Sequence, residues 1–205
     1  MTLKATSGRA TVRRGEPKSA KKPGVRKELM PLTVTRPELI TQGSDRDFRR
    51  LVHGLFGLFS HHEKIRDGHA KFIGLSGIDY TVLISIAHLG AEGDVSVRAV
   101  ADHLHLSGAF ITTVTRRLME LGLIHKEADT HDKRRVSLTV SAKGRALLQR
   151  LAPVQRQVND VEFEGLSAED FTGLLALIEK LIQSSERAIA LQSYLYSRTN
   201  KDGSF

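Results

Sequence analysis

Residues 96–144 read SVRAVADHLHLSGAFITTVTRRLMELGLIHKEADTHDKRRVSLTVSAKG, a succession of patterns for helix, turn, helix and two strands. Val97, Val100, Ala101 and Leu104 recur at spacings of three and four, which predicts an amphipathic helix over residues 96–104. His105-Leu106-Ser107 is a tight link, and Ser107 is a good N-cap because its hydroxyl can accept a backbone N–H left unpaired by the first turn. The next helix is predicted over residues 108–121, with Ile111, Val114, Leu118 and Leu121 inward and Gly122 ending it in the left-handed conformation. Ser107, Ala109, Phe110, Thr112, Thr113, Arg116 and Arg117 are left for the other faces. Small residues allow close approach, threonine offers a hydroxyl and a methyl, and arginine reaches guanine or phosphate, a set that suits a helix seated in a DNA major groove.

A hairpin follows. Leu123-Ile124-His125 can begin one strand, and Val136, Leu138 and Val140 alternate with Ser137 and Thr139 in the period of a half-buried second strand. At the tip between them, Lys133, Arg134 and Arg135 stand in a row, a compact probe for phosphates or a narrow minor groove, with Asp132 placed to steady one arginine. A helix with threonine and arginine outside is by itself usually a solvated face. The ordered set within so short a span is what is specific.

Charge has to be located before it is interpreted. The chain of 205 residues carries +8, yet residues 1–27 hold nine Lys/Arg against one acid, Glu16, and account for the whole excess. Within the neutral remainder, residues 96–150 hold ten Lys/Arg against five acids, whereas residues 151–205 hold five against eight. A basic tail, a basic middle and an acidic end suggest a polyanion as partner. There is no cysteine, so disulfides and thiolate chemistry are excluded. No run of 18 apolar residues exists and no apolar stretch follows the basic start, so neither a membrane span nor a secretory signal is expected, and the compartment reads as cytoplasmic.

Outward from the central stretch, residues 1–37 read as a disordered basic tail, too poor in large apolar side chains to offset ordering entropy. It is either a solubilising tail or an arm that adds phosphate contacts. Residues 44–95 hold two predicted helices. In the first, Phe48, Leu51, Val52, Leu55, Phe56, Phe59, His62 and Ile65 form one stripe, with Ser44 and Asp47 as its capping start. The second opens at Ser76 with Asp79 three residues on and stops near Gly90. Residues 145–195 continue as helices: Leu147, Leu148, Leu151, Val154, Val158 and Val161 form a stripe, with Pro153 expected to bend it, and a fresh N-cap near Ser167 precedes Phe171, Leu174, Leu175, Ile178, Leu181, Ile182 and Ile189. Residues 196–205 form a tail. These outer helices cannot enclose a core of their own and look built to pack on a second copy. The expected fold is therefore mainly α with a small β-hairpin wing: a winged helix-turn-helix domain at residues 96–144 plus N- and C-terminal dimerisation helices.

Three runs carry a family resemblance: Leu118-Met119-Glu120-Leu121-Gly122-Leu123-Ile124, then Asp129-x-x-Asp132-Lys133-Arg134, then Val136-x-Leu138-x-Val140-Ser141-Ala142-Lys143-Gly144. They resemble the MarR family of bacterial regulators, as does Leu75-Ser76-Gly77-Ile78-Asp79-Tyr80-Thr81-Val82-Leu83 at the opening of the second helix. The resemblance spans about residues 45–191. Lys133 stands where the family has arginine, which keeps the charge and loses bidentate geometry. The resemblance implies a homodimer whose recognition helices enter successive major grooves of a near-palindromic double-stranded operator. It implies that Ser107, Ala109, Phe110, Thr112, Thr113, Arg116 and Arg117 belong to the recognition helix, and Lys133, Arg134 and Arg135 to the wing. Such regulators mostly repress, and many release DNA when a small aromatic, phenolic or anionic effector binds between the dimer helices and the winged domain; here Phe59, His62, Arg66 and Tyr80 would wall that site.

Other classes fit less well. There is no phosphate-cradling loop, no nucleophile elbow and no carboxylate pair in a plausible cleft; Glu169-Asp170 is explained by a helix N-terminus. No cofactor is expected. His61, His62 and His69, or His103 and His105, lack the spacing and acidic partners of a helical metal site. The competing reading is a winged-helix protein-interaction module whose basic wing binds an acidic partner.

Overall fold

The computed structural model describes residues 30–128 and 136–202, with the side chains of residues 128, 136 and 200–202 left aside. The chain divides into two compact units, residues 1–53 and 54–205.

In the first unit a 3-10 turn, Pro37–Leu39, leads to a tight reversal at Gln42 and Gly43, both with positive φ (51° and 73°). Thr41 and Ser44 exchange both backbone hydrogen bonds across it (2.9 and 3.0 Å), the geometry of a two-residue hairpin turn with two left-handed positions. Helix α1 (Arg46–Phe72) then begins, and Arg49 N–H donates to the Asp45 carbonyl. The expected Ser44–Asp47 cap is thus displaced: the Ser44 hydroxyl accepts from Arg46 N–H, and Asp45 occupies the turn-closing position. The Asp45 side chain is buried and accepts from the Thr33 N–H (2.8 Å), the Thr33 hydroxyl (2.7 Å) and Arg49 Nε, while Arg49 Nη2 donates to the Pro31 carbonyl (2.6 Å). These bonds hold Asp45 ionised, with its pKa brought down to about 2, first by the Thr33 backbone N–H and then by the Thr33 hydroxyl. The chain is therefore already ordered at Pro31 and Thr33, within the span expected to be a disordered tail. Residues 1–29 of that tail lie outside the described residues.

The second unit is built on α2 (Gly77–Leu89), α3 (Val97–Leu104), α4 (Gly108–Glu120), β1 (Ile124–Ala128), β2 (Val136–Val140), α5 (Ala142–Glu162) and α6 (Ala168–Asp202). Ser76, Ser96, Ser107 and Ser141 each cap their helix by accepting an N–H from the third residue on. The core gathers Val82, Leu83 and Ile86 of α2, Val95, Val100 and Ala101, Ile111, Val114 and Leu118 of α4, and Leu123, Ile124, Leu138 and Val140 of the hairpin. β1 and β2 pair antiparallel with Ile124 opposite Val140, and the Leu138 N–H also reaches the Val95 carbonyl at 2.7 Å. A second cluster, Ala70, Ile73, Tyr80 and Leu151, joins the end of α1 to α2 and α5.

The junction after α4 shows why the Leu-Gly-Leu and Ser-Ala-Lys-Gly runs go together. Gly122 has φ +70° and ends α4, as expected from sequence. The Ser141 hydroxyl donates to the Gly122 carbonyl (2.7 Å), Ser141 N–H to Leu123 O (2.9 Å) and Lys143 Nζ to Leu121 O (2.8 Å). A Cβ on Gly144 would strike the Leu123 carbonyl oxygen and the Val140 side chain, so only glycine lets α5 start against the hairpin. Leu121, expected inward, is 41% exposed because the helix proper ends at Glu120 and Leu121 is its C-cap.

Helix α6 opens with a reciprocal cap: the Asp170 N–H donates to the Ser167 hydroxyl (3.1 Å) and the Ser167 N–H to the Asp170 carboxylate (3.0 Å). The Ser167 hydroxyl and N–H lower the Asp170 pKa. The helix runs to Asp202, past the point at residue 196 where a tail was expected. It exposes Phe171, Leu175, Leu181, Ile189 and Leu195 by half or more, and α1 likewise exposes Leu51, Phe56 and Phe59. Among the described residues no single helix is long and apolar enough to cross a membrane.

Candidate nucleic-acid interface

The two middle helices meet at a turn in which His105 takes the left-handed conformation (φ 53°, ψ 39°) and returns its N–H to the end of α3. The Leu106 N–H donates to Ala101 O (3.0 Å), so the link is short and tied back to α3. Ser107 then caps α4 through Phe110 N–H (3.2 Å). Ile111, Val114 and Leu118 anchor one side of α4 in the core, and Thr115, which had not been placed inward from sequence, is buried with its hydroxyl on Thr112 O.

The opposite side carries Ala109, Phe110, Thr112, Thr113, Arg116 and Arg117, all exposed. Thr112 and Thr113 donate their hydroxyl protons to their own helix, at Gly108 O (2.8 Å) and Ala109 O (3.2 Å). Their oxygen lone pairs and methyl groups are left facing outward, suited to an adenine or cytosine amino group or a thymine methyl. Arg116 has no ion pair or hydrogen bond among the described residues. Arg117 does: its guanidinium meets the buried Asp79 carboxylate in the first turn of α2, Nε to Oδ1 at 2.7 Å and Nη2 to Oδ1 at 2.5 Å. Arg117 is thus held within the protein while Arg116 is free to reach outward. The wing residues Lys133, Arg134 and Arg135 lie outside the described residues.

A cavity of about 230 Å³ lies among α1, α2 and α5, lined in part by His62, Arg66, His69, Tyr80, Gln155 and Asn159. Of the four wall residues expected, His62, Arg66 and Tyr80 line it; Phe59 does not and is 59% exposed. Tyr80 is buried, which raises the pKa of its phenol, and its oxygen accepts from Gln155 Nε2 at 3.1 Å. His62 Nδ1 lies 2.9 Å from Glu162 Oε1; a carboxylate only accepts, so this nitrogen carries the proton. His69 stands edge-on to the Tyr80 ring with centroids 6.1 Å apart. His69, Gln155, Asn159 and Glu162 were missed from sequence. The available signal was the polar row at residues 155, 159 and 162, one helical step beside the apolar stripe of α5. A larger, open groove of about 710 Å³ runs between α2 and β2, but its arginine, Arg145, is already spent on the Val140 carbonyl (2.5 Å), so the smaller cavity has the convergent polar groups of a ligand site. No cluster of three metal-ligating side chains occurs among the described residues.

The MarR family model matches residues 73–135, from the end of α1 to the wing. The chain is 31% identical over 92 residues to the HTH-type transcriptional regulator YwhA of Bacillus subtilis, a match over 45% of this chain and 66% of that protein, just under two thirds of its length. It is 26% identical over 137 residues to the HTH-type transcriptional repressor NicR of Pseudomonas putida, covering 66% of this chain and 84% of that one. Among solved structures, the fold matches BpsR of Bordetella bronchiseptica, whose DNA binding is regulated by 6-hydroxynicotinic acid (TM-score 0.52, 24% identity, 63% of this chain and 90% of that chain). It also matches a MarR variant from E. coli in complex with operator DNA (TM-score 0.54, 18% identity, 66% and 94%).

Proposed function

We propose, from its likeness to the MarR family of DNA-binding transcriptional regulators over residues 73–135, that the chain acts as a homodimeric repressor of a near-palindromic operator. The observation that carries this reading is the outward face of α4: a capped, core-anchored helix presenting Thr112, Thr113 and an exposed Arg116. Ser107, Ala109 and Phe110 form the leading end of that face, Arg117 braces it, and Lys133, Arg134 and Arg135 extend the contact from the wing. The exposed apolar side chains of α1 and α6 are the surfaces that would pack on the second copy.

Release is assigned to a small anionic aromatic compound in the cavity walled by His62, Arg66 and Tyr80. A volume of about 230 Å³ suits a single ring, and the similarity to NicR and to BpsR makes 6-hydroxynicotinic acid the first compound to try. A gel-shift titration on DNA upstream of the chain's own gene tests both parts. Sequence-specific retardation that 6-hydroxynicotinic acid or a related aromatic acid abolishes supports the reading. Binding that is equally strong on unrelated DNA of the same length speaks against it.

A further inference from the structure

Four residues of α4, Ala109, Thr112, Thr113 and Arg116, are spaced i, i+3, i+4 and i+7, so they lie along one stripe of the helix. All four are exposed, and the stripe lies opposite the buried Ile111, Val114 and Leu118. Its hydrogen-bonding capacity can be counted atom by atom. Ala109 has a methyl and no polar side-chain atom. The Thr112 hydroxyl proton goes to Gly108 O (2.8 Å) and the Thr113 proton to Ala109 O (3.2 Å), so both oxygens can only accept from an incoming partner. Ser107 lies off the stripe, one residue before the helix, where its oxygen accepts the Phe110 N–H. The stripe therefore offers methyl groups from Ala109, Thr112 and Thr113, acceptors from the two threonines and, at its far end, the Arg116 guanidinium as its donor.

The base edges of the major groove sort themselves against this face. Guanine shows only acceptors there, N7 and O6, so along the stripe it can be met only by Arg116. Cytosine shows an amino donor without a methyl; the carboxylate that usually takes that donor is missing, since the acid of α4 is Glu120, beyond Arg116. Asn and Gln, the usual bidentate readers of adenine, are also absent from α4. A T·A pair fits what remains: its thymine methyl meets the apolar groups, and its adenine amino group meets a threonine oxygen. Phe110, 44% exposed on the Arg117 side of the stripe, enlarges the apolar surface. We infer that the stripe recognises its half-site through thymine methyl groups, at T·A pairs beside a guanine or phosphate held by Arg116. This rests on α4 being the recognition helix and adds which bases it reads. G·C pairs under Ala109, Thr112 and Thr113 would bury guanine acceptors without donors, at a cost in affinity.

Selection by the full chain from a random-sequence DNA duplex pool, followed by anisotropy titration of the enriched duplex, tests it. The enriched duplex is made with thymidine and again with deoxyuridine, which pairs identically and lacks only the C5 methyl. The expected result is a near-palindrome with T·A pairs in both halves. Its deoxyuridine copy should bind about tenfold or more weaker, the size expected for about two buried methyl groups. In the double variant Thr112→Ser with Thr113→Ser, which removes the threonine methyls and keeps the hydroxyls, that ratio shrinks to about threefold or less. Equal binding of the two copies by the unaltered chain overturns the inference and leaves the operator reading standing, even if the variant fails to fold. An unchanged ratio in a serine variant with parental circular dichroism also overturns it, because other residues then read the methyls. Enrichment of no sequence at all overturns the inference and the operator reading together.

Discussion

Arg117 of the exposed helix α4 and Asp79 in the first turn of α2 are joined 38 residues apart in sequence by two contacts of 2.7 and 2.5 Å, with the Asp79 side chain 7% exposed. The next residue along α2, Tyr80, lines the small cavity. One ion pair therefore ties the proposed recognition helix to the helix whose first turn borders the cavity. Arg117→Met leaves a buried carboxylate without its cation; with the Arg117 side chain 44% exposed, the expected loss is about 1–2 kcal/mol, read as a lower denaturant midpoint. Operator affinity should fall through loss of helix placement, while the slope of log affinity against log salt stays unchanged, because no phosphate contact is removed.

Arg116 should behave in the opposite way. It is exposed and free of partners among the described residues, so Arg116→Met is expected to leave the unfolding midpoint within about 0.5 kcal/mol of the parent. If it reaches a phosphate, the salt slope drops by about one; if it reaches a guanine edge, discrimination at one base pair weakens by about 1–3 kcal/mol. Salt-dependent fluorescence anisotropy on operator and scrambled DNA separates these from each other and from the Arg117 behaviour. An Arg116 variant with parental affinity and slope on both DNAs would remove this face of α4 from the interface.

Gly144, in the first turn of α5, abuts the Leu123 carbonyl and the Val140 side chain, and alanine there meets a backbone carbonyl that cannot rotate away. Gly144→Ala is expected to cost about 3 kcal/mol, through displacement of the α5 start from Leu123 and Val140. Gly165, with open space around its Cβ position, is the control: Gly165→Ala should shift the midpoint little. Thermal unfolding of the two variants side by side decides it.

The elements that announce themselves within a few residues were legible. Serine caps, the Gly122 stop and the outward set on α4 depend on local backbone chemistry and on one helical period. What escaped was long-range and polar. Thr33 and Asp45 are 12 residues apart and meet only after the Gln42–Gly43 reversal. Nothing in a segment of prolines and threonines announces that its amides will bond a carboxylate. Arg117 read as a free cation because its partner lies in another helix. The cavity's Asn159, and Glu162 bonded to His62, belong to a polar row that only the approach of α1 makes meaningful. Leu121 failed for a smaller reason: one residue of helix length decides whether its side chain turns in or out.

Asp45 gives the first unit a defined acid limit. Its folded pKa of about 2 lies below the ordinary value of 3.8, so the bonds to Thr33 and Arg49 contribute fully above about pH 4 and are lost as pH falls through 2. The Thr33 amide signal, followed by NMR from about pH 5 down to about pH 1.5, should titrate with that low midpoint. Asp45→Asn should abolish the titration and weaken the tie between Thr33 and the start of α1. A Thr33 signal that titrates near the ordinary aspartate value would mean that the tie is not made in solution.

The proposed dimer makes the strongest demand on α6. The buried core residues of the second unit come from the end of α1, from α2, α3, α4, the hairpin and α5, and from their connections, and α6 contributes none of them. Charges on its exposed apolar face should therefore leave the winged unit folded while opposing association. Leu181 and Ile189 are 50% and 64% exposed, so Leu181→Glu with Ile189→Glu places two carboxylates on that face without disturbing a packed interior. Sedimentation velocity should show a dimer for the parent chain and a monomer for the double variant, with α-helical circular dichroism largely kept. Operator affinity should drop by about a hundredfold or more, since each monomer then holds one half-site without the gain of a linked second one. A double variant that sediments as the parent does and binds operator equally well would place the dimer contact on other residues than these.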